Sequence, residues 1–176
     1  MIRTLSGLWF LALFVVAAPF LPAEDKKAAP KFALTKDEQT LLELLNKERA
    51  EKELPPLQPN PLLFQAARGH SANMAKQEKM EHILDGKNPG KRVLAAGYDY
   101  GKVAENIAVS DGPAAPLPVI VKGWMESKIH RENLLNDKVT ETGLGIAKND
   151  KGEVYYTQVF ARPRKVNKPE KAEPRP

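Results

Sequence analysis

A chain of 176 residues is long enough for one domain with extensions at both ends. Because it contains no cysteine, disulfides, thiolate metal sites and a cysteine nucleophile are all excluded. The formal net charge of +5 comes from the two ends, since residues 24–161 hold 20 basic and 20 acidic side chains, and a neutral middle of this kind argues against binding of nucleic acid.

The N-terminus has the pattern of an export signal. Arg3 precedes an apolar run that ends at Leu21, and this run is shorter than the ~20 residues of a membrane-spanning helix. We predict a signal peptide at residues 1–23, cleaved after Ala23, and a linker at residues 24–34. Leu21 fits a cleavage site poorly, so an uncleaved anchor is the alternative. Together with the lack of cysteine, this predicts a bacterial protein that is secreted, periplasmic or bound to the cell envelope.

Helix start signals appear twice in the first half of the chain. Thr35 and Glu38 have the spacing of a capping box, and Asn60 precedes Pro61 as a cap before a proline at the first helical position. Apolar residues recur at helical spacing after both signals. These patterns predict helices at about residues 36–52 and 61–79. The stretch DGKNPGKR, residues 85–92, is predicted to be a loop.

The second half of the chain alternates between strand and helix patterns. VAENIAVS alternates like a strand, and Val121 and Trp124 are spaced as in a helix. GLGIAKND and EVYYTQVFA are strand-like runs joined by the polar turn NDKG, which predicts a hairpin. The predicted elements are a strand at 103–110, a helix at 117–127, at most a short helix in HRENLLN, and strands at 143–150 and 153–161.

The order ααβααββ predicts an α+β domain in which helices cover a small antiparallel sheet. We place this domain at residues 35–162. Residues 163–176 are basic and rich in proline, which predicts a disordered tail. Such a tail favours peripheral contact with anionic surfaces.

Five short motifs follow one another between Leu41 and Phe160: LLNKERA, MEH, AENIA, W-x-x-S-x-x-HR-x-NLL, and GLGIA followed by YYTQVF. This ordered set resembles the CAP superfamily (cysteine-rich secretory, antigen 5 and pathogenesis-related-1 proteins, or SCP-like extracellular domains) in its bacterial, cysteine-free form. The resemblance implies a three-layer α-β-α sandwich. It also implies a cavity built around two histidines and usually two glutamates.

The resemblance assigns four residues to this cavity. His82 and His130 match the two histidines, and Glu105 of AENIA matches the first glutamate. The position of the second glutamate is Ser127, as is usual in the bacterial form. The glycine that usually precedes the first glutamate is Ala104, a change that should only crowd the strand.

Three of the candidate residues also have purely structural explanations. His82 follows the second predicted helix, where a protonated ring could interact with the helix C-terminus. A buried Glu105 needs partners, which backbone groups could supply as well as imidazoles. His70 lies on the apolar face of the second helix, and we predict a packed, hydrogen-bonded side chain there rather than a ligand.

Ser127 and His130 are close enough in sequence for a nucleophile and its base. No G-x-S-x-G motif surrounds the serine, so we predict instead that Ser127 caps the short helix that follows. Arg131 and Asn133 are predicted to fix the segment that presents His130. Trp124 and the aromatic residues of the last strand are predicted to pack in the core.

The donor types of the cavity also suit a metal. His82, His130 and Glu105 could make an open three-ligand site of the kind that zinc or another divalent metal uses. Metal-assisted hydrolysis would need a separate general base. Glu126 is the nearby carboxylate, and its position predicts that it faces away.

We therefore predict an exported module that binds a lipid, an envelope polymer or a protein around a His/Glu cavity. The alternative is a metal-assisted hydrolase or peptidase that uses His82, His130 and Glu105. A third possibility is a structural protein of the cell envelope whose functional part is the tail at residues 163–176.

Overall fold

The structure, a computed structural model, describes residues 32–110 and 115–165. The predicted signal peptide, most of the predicted linker and most of the predicted tail lie outside these residues. Within them, no helix is long and apolar enough to cross a membrane. The elements are α1 (Lys36–Ala50), β1 (Gln58–Pro59), α2 (Pro61–Gln77), α3 (Pro89–Ala95), β2 (Tyr100–Ser110), α4 (Leu117–Glu126), α5 (Lys128–Leu134), β3 (Glu141–Lys148) and β4 (Val154–Pro163).

The first two helices begin where the sequence predicts. The Thr35 hydroxyl accepts a hydrogen bond from the Glu38 amide at 3.2 Å, and the Glu38 carboxylate accepts one from the Thr35 amide at 2.8 Å. The Asn60 side chain accepts a bond from the amide of Leu62 at 3.0 Å. Helix α2 ends two residues early, because Glu78 adopts a left-handed conformation with φ of 54°.

The predicted loop at DGKNPGKR is wrong in its second half, which forms helix α3. The Asn88 side chain accepts a bond from the amide of Lys91 at 2.8 Å, and Pro89 occupies the first turn. This is the same asparagine–proline start as in α2. The helix is only seven residues long and buries Gly90 and Val93. Too few apolar residues therefore follow the helix start signal to show a helical period in the sequence.

The four strands form one sheet in the order β1-β3-β4-β2. Strands β2 and β3 both pair antiparallel with β4, as predicted. The two-residue strand β1 pairs parallel with β3 through Gln58 and Glu141, so the sheet is mixed rather than purely antiparallel. A strand of two residues, one of them Pro59, carries no strand pattern in the sequence. The predicted α+β class is confirmed.

Helices cover both faces of the sheet, as the three-layer sandwich requires. Along β4, Tyr156 and Phe160 pack in the cluster that α1, α4 and α5 contribute to, whereas Tyr155 and Val159 pack toward α2. All four side chains are buried. Because successive strand residues face opposite sides, β4 serves both cores at once.

Glycines in the GLG motif bring α2 directly onto the sheet. A Cβ atom at Gly143 would lie 2.0 Å from the Leu63 carbonyl carbon, and one at Gly145 would lie 2.3 Å from the Ala67 carbonyl oxygen. The Ser71 hydroxyl of α2 donates to the carbonyl of Gly145 at 2.9 Å. The helix and strand backbones are therefore in contact, with no side chain between them.

Strand β2 is an edge of the sheet, and side chains from α4 and α5 bond to its outward carbonyls. The Trp124 indole donates to the Ile107 carbonyl at 3.1 Å, and the Asn133 amide donates to the Glu105 carbonyl at 3.3 Å. Trp124 is 2% exposed, in agreement with its predicted packing role. These two bonds satisfy backbone acceptors that an open edge would leave free.

Arg49 of the LLNKERA motif holds the far end of α5. Its side chain is buried, and Nη1 donates to the carbonyls of Leu134 at 2.7 Å and Asn136 at 3.0 Å. The last turn of a helix leaves such carbonyls unpaired, so α1 fixes the helix that carries His130.

The contact between α2 and β3 generates a stability prediction. Gly143→Ala should lower the free energy of unfolding by more than about 3 kcal/mol, because the new methyl group meets backbone atoms that cannot move aside cheaply. Gly69→Ala on α2 is the matched control, since a Cβ there meets nothing within 4 Å, and it should leave stability equal or higher. Urea unfolding of both variants measures this, and equal stabilities would contradict the close approach.

Candidate functional site

The predicted cavity centres on the carboxylate of Glu105. This residue lies on β2, faces α2 and is 5% exposed. His82 Nδ1 donates to Oε1 at 2.9 Å, and Arg92 Nη2 donates to Oε2 at 2.6 Å. His70 Nε2 lies 3.7 Å from Oε1. The buried charge is therefore compensated by a cation and at least one imidazole, as burial of a carboxylate demands.

Arg92 is the member of the site that the sequence reasoning missed. Besides Glu105, it binds the backbone of the segment after α2, since Nη1 donates to the carbonyls of His82 at 3.0 Å and Lys87 at 2.7 Å. Its side chain is 10% exposed. Two features of the sequence could have predicted its role. One is the asparagine–proline helix start at Asn88, and the other is the need of a buried Glu105 for a cation.

His82 is brought to Glu105, as the resemblance implied. Its side chain is 49% exposed although its Nδ1 atom is bonded to a carboxylate that is almost fully buried. One side of the ring thus forms the edge of the buried cluster and the other side meets solvent.

His130, on α5, lies on the face of strand β2 opposite to Glu105. Its carbonyl accepts a bond from the Asn106 amide at 2.9 Å, and Asn133 donates to the side-chain oxygen of Asn106 at 2.9 Å. Arg131 donates to the Met125 carbonyl at 2.6 Å. Arg131 and Asn133 therefore have the positioning role predicted for them.

The pKa of His130 responds to its surroundings and to His82. Burial lowers the pKa of His130 below its usual value, and the neighbouring His82 lowers it further. His130 is accordingly a neutral imidazole near pH 7, able to donate one hydrogen bond and accept another.

Ser127 occupies the predicted N-cap position of α5, with φ of −79° and ψ of 122°. Its backbone carbonyl accepts a bond from the Arg131 amide at 2.9 Å, but the hydroxyl makes no capping bond. The predicted position is correct and the predicted hydroxyl cap is wrong. Backbone geometry alone ends α4 and starts α5 here.

The residues predicted to bind metal are not assembled as a metal site. Among residues 32–110 and 115–165, no three His, Asp or Glu side chains are grouped so that they could hold a metal ion. Glu105 has one oxygen on His82 and the other on the Arg92 guanidinium, and that cation would repel a divalent metal. Glu126 is 67% exposed and lies 3.6 Å from Lys122, so it faces away as predicted.

His70 is buried as predicted, and its ring lies against the backbone of Glu81 and the carboxylate of Glu105. It is 1% exposed, and neither ring nitrogen has a hydrogen-bond partner in the described part of the chain. The Glu105 carboxylate and the Glu81 carbonyl are the acceptors beside the ring. Burial lowers the pKa of His70, with Glu105 opposing the shift, so the ring is neutral at pH 7. His70 thus belongs to the Glu105 cluster, a placement that the sequence did not predict.

The lowered pKa of His70 predicts a dependence of stability on pH. The folded state resists protonation of this ring, so its contribution is complete above about pH 6.5, the unperturbed value, and is lost as the pH falls through the lower folded value. The free energy of unfolding should therefore fall less steeply between pH 6.5 and 5 in His70→Leu than in the parent chain. Urea unfolding over this range measures the slopes, and identical slopes would contradict the assignment.

Comparison with known proteins places these features in a family. Residues 42–160 match CAP, the Cysteine-rich secretory protein family. The chain is 34% identical over 131 residues to the uncharacterized membrane protein YlbC of Bacillus subtilis, covering 73% of this chain and 35% of YlbC. It is 32% identical over 126 residues to the uncharacterized protein YkwD of the same organism, covering 71% and 47% of the two chains. The chain thus spans less than half the length of both relatives.

Solved structures share the fold. An extracellular protein containing a SCP domain from Bacillus anthracis matches with a TM-score of 0.62 at 29% identity, over 72% of this chain and 40% of that one. An outer surface protein from Borrelia burgdorferi matches with a TM-score of 0.68 at 19% identity, over 76% and 97% of the two chains. With its motifs in order, its sandwich of helices and sheet, and a match over residues 42–160, the chain belongs to the CAP family.

Proposed function

We propose that this chain is an exported CAP-domain protein that binds a lipid of the cell envelope. The binding surface would be the imidazole groove, which we define as His82 and His130 together with the apolar residues Met80, Ile83 and Ile129. The N-terminal export pattern supports this location, as does the similarity to the Bacillus anthracis protein described as extracellular. The similarity to YlbC, described as a membrane protein, points to the same surroundings.

The observation that carries the proposal is the exposure of three apolar side chains that are close to the histidines in sequence. Ile129 is 71% exposed, Ile83 59% and Met80 47%. Single exposed apolar residues are ordinary, but these three lie within two residues of His82 or directly next to His130. A surface that combines apolar side chains with a few hydrogen-bonding groups is suited to an amphiphile.

The engagement of Glu105 favours binding over hydrolysis. A hydrolase that uses a glutamate as its general base needs that carboxylate free to take a proton from water. Glu105 is already bonded on both oxygens, and Glu126 extends into solvent. We therefore propose that the partly exposed imidazoles form hydrogen bonds with a polar headgroup, while the apolar residues contact the lipid chains.

Replacing Ile83 and Ile129 together by aspartate should weaken binding to zwitterionic lipid vesicles roughly tenfold, because each change removes apolar contact from the groove. Val119→Asp is the matched control, since Val119 is 54% exposed on α4, and it should bind like the parent. Co-sedimentation of the chain from residue 24 onward at high salt measures this, with charge attraction through the basic tail screened.

Equal binding by the double variant and the control would contradict the imidazole groove as the lipid surface. Hydrolysis of envelope material that stops on addition of a chelator would favour the metal-assisted hydrolase instead.

A further inference from the structure

An open cavity of about 490 Å³ lies between α2, α3 and the turn at residues 84–87. We call it the α2–α3 pocket. Neither His82 nor His130 lines it. Its size falls within the ~300–1,000 Å³ typical of small-molecule sites.

The walls of the α2–α3 pocket are formed by small and apolar residues. Gly69 and Ala72 contribute from α2, Ala95 from the end of α3, and Leu84 from the turn. A Cβ atom at Gly69 would meet nothing within 4 Å. The glycine therefore leaves open space where most residues would place a side chain.

The turn that forms the rim of the pocket is held by hydrogen bonds. Asp85 and Gly86 both have positive φ, of 51° and 68°, and the Lys87 amide donates to the Leu84 carbonyl at 2.9 Å, which makes a tight Asp-Gly turn. The Asp85 carboxylate ties this turn to α2 because Asn73 donates to it at 2.9 Å. A ligand would find the rim ordered and would not have to close it.

The charge around the pocket is mostly positive. Lys76 and Lys87 line it; neither forms an ion pair within 4.0 Å among the described residues, although both charges help to lower the pKa of Asp85, after its hydrogen bonds from Asn73 and Gln77. Arg92 lines the inner end, and its Nε atom is buried without a hydrogen-bond partner in the described part of the chain. Asp85 is the one acidic residue among those lining the pocket, and its oxygens are already bonded to side-chain amides.

We propose that the α2–α3 pocket binds a small amphipathic organic anion. The apolar body of the ligand lies against Gly69, Ala72 and Ala95, and its anionic group lies between Lys76 and Lys87. This site goes beyond the proposed lipid surface. His70 and Arg92 of the Glu105 cluster line the pocket, but none of the residues that define the imidazole groove does.

The fluorescent dye 1-anilinonaphthalene-8-sulfonate is a suitable probe, since it joins an aromatic body to a sulfonate. The full chain is labelled with ¹⁵N-glycine, which gives at most 11 amide signals, and Gly69→Leu identifies the signal of Gly69 by removing it. Titration with the dye should shift the Gly69 signal and leave that of Gly123 on α4 unmoved. A Gly69 signal that stays in place at dye saturation would overturn the proposal.

Filling the pocket separates this site from other places where the dye could bind. Gly69→Leu should lower dye affinity at least tenfold, because leucine enters the open space at the wall. Gly123→Leu is the matched control, since a Cβ there also meets nothing within 4 Å on an exposed helix position, and it should bind like the parent. Leucine is a better helix residue than glycine, so both variants should fold. Equal affinity in the two variants would overturn the proposal.

The charge of the ligand is tested independently. Replacing Lys76 and Lys87 together by glutamine should weaken dye binding roughly three- to tenfold, as expected for two exposed charge contacts. The cation 1-naphthylmethylammonium should leave the Gly69 signal unmoved. A shift of that signal by the cation equal to the shift by the dye would show a pocket without preference for anions and would overturn the assignment.

Discussion

A carboxylate buried on an edge strand needs compensating partners, and Glu105 obtains them from three separate parts of the chain. Arg92 comes from α3, His82 from the segment after α2, and His70 from α2 itself. Arg92 also binds the carbonyls of His82 and Lys87. Because an unpaired buried charge is so costly, this cluster fixes where the loop after α2 and helix α3 lie on the sheet.

The alternation of β2 explains how one strand serves both histidines. Glu105 faces α2 and binds His82, whereas the next residue, Asn106, faces the other side and binds the carbonyl of His130. His82 and His130 therefore lie on the two faces of the same edge strand, His82 bonded to Glu105 and the backbone of His130 bonded to Asn106. This arrangement leaves two partly exposed imidazoles next to polar groups that are already hydrogen-bonded.

Local signals in the sequence predicted most of the fold. Caps at Thr35 and Asn60 and the alternation in β2, β3 and β4 need only neighbouring residues, so they can be read without the structure. The start of α3 at Asn88 carries the same signal as Asn60, but too few residues follow it to show a period. Strand β1 is two residues long and exists only through its pairing with β3.

The candidate site was predictable where the family resemblance covers it and not elsewhere. The resemblance names His82, Glu105, Ser127 and His130 but says nothing of the cation that compensates the glutamate. Arg92 lies 13 residues before Glu105 in sequence, and their contact depends on how α3 packs on β2. The same applies to His70, whose apolar neighbours in sequence indicate burial but not proximity to a carboxylate.

Glu105 and Arg92 form a buried structural pair, and a double-mutant cycle of Arg92→Met and Glu105→Gln tests this pairing. Unfolding in urea should show that Arg92→Met alone costs about 3–5 kcal/mol, because it leaves the carboxylate without its cation. Adding Glu105→Gln should then recover much of that loss, with a coupling energy of about 2 kcal/mol or more. Effects of the two changes that add to within about 0.5 kcal/mol would contradict the account.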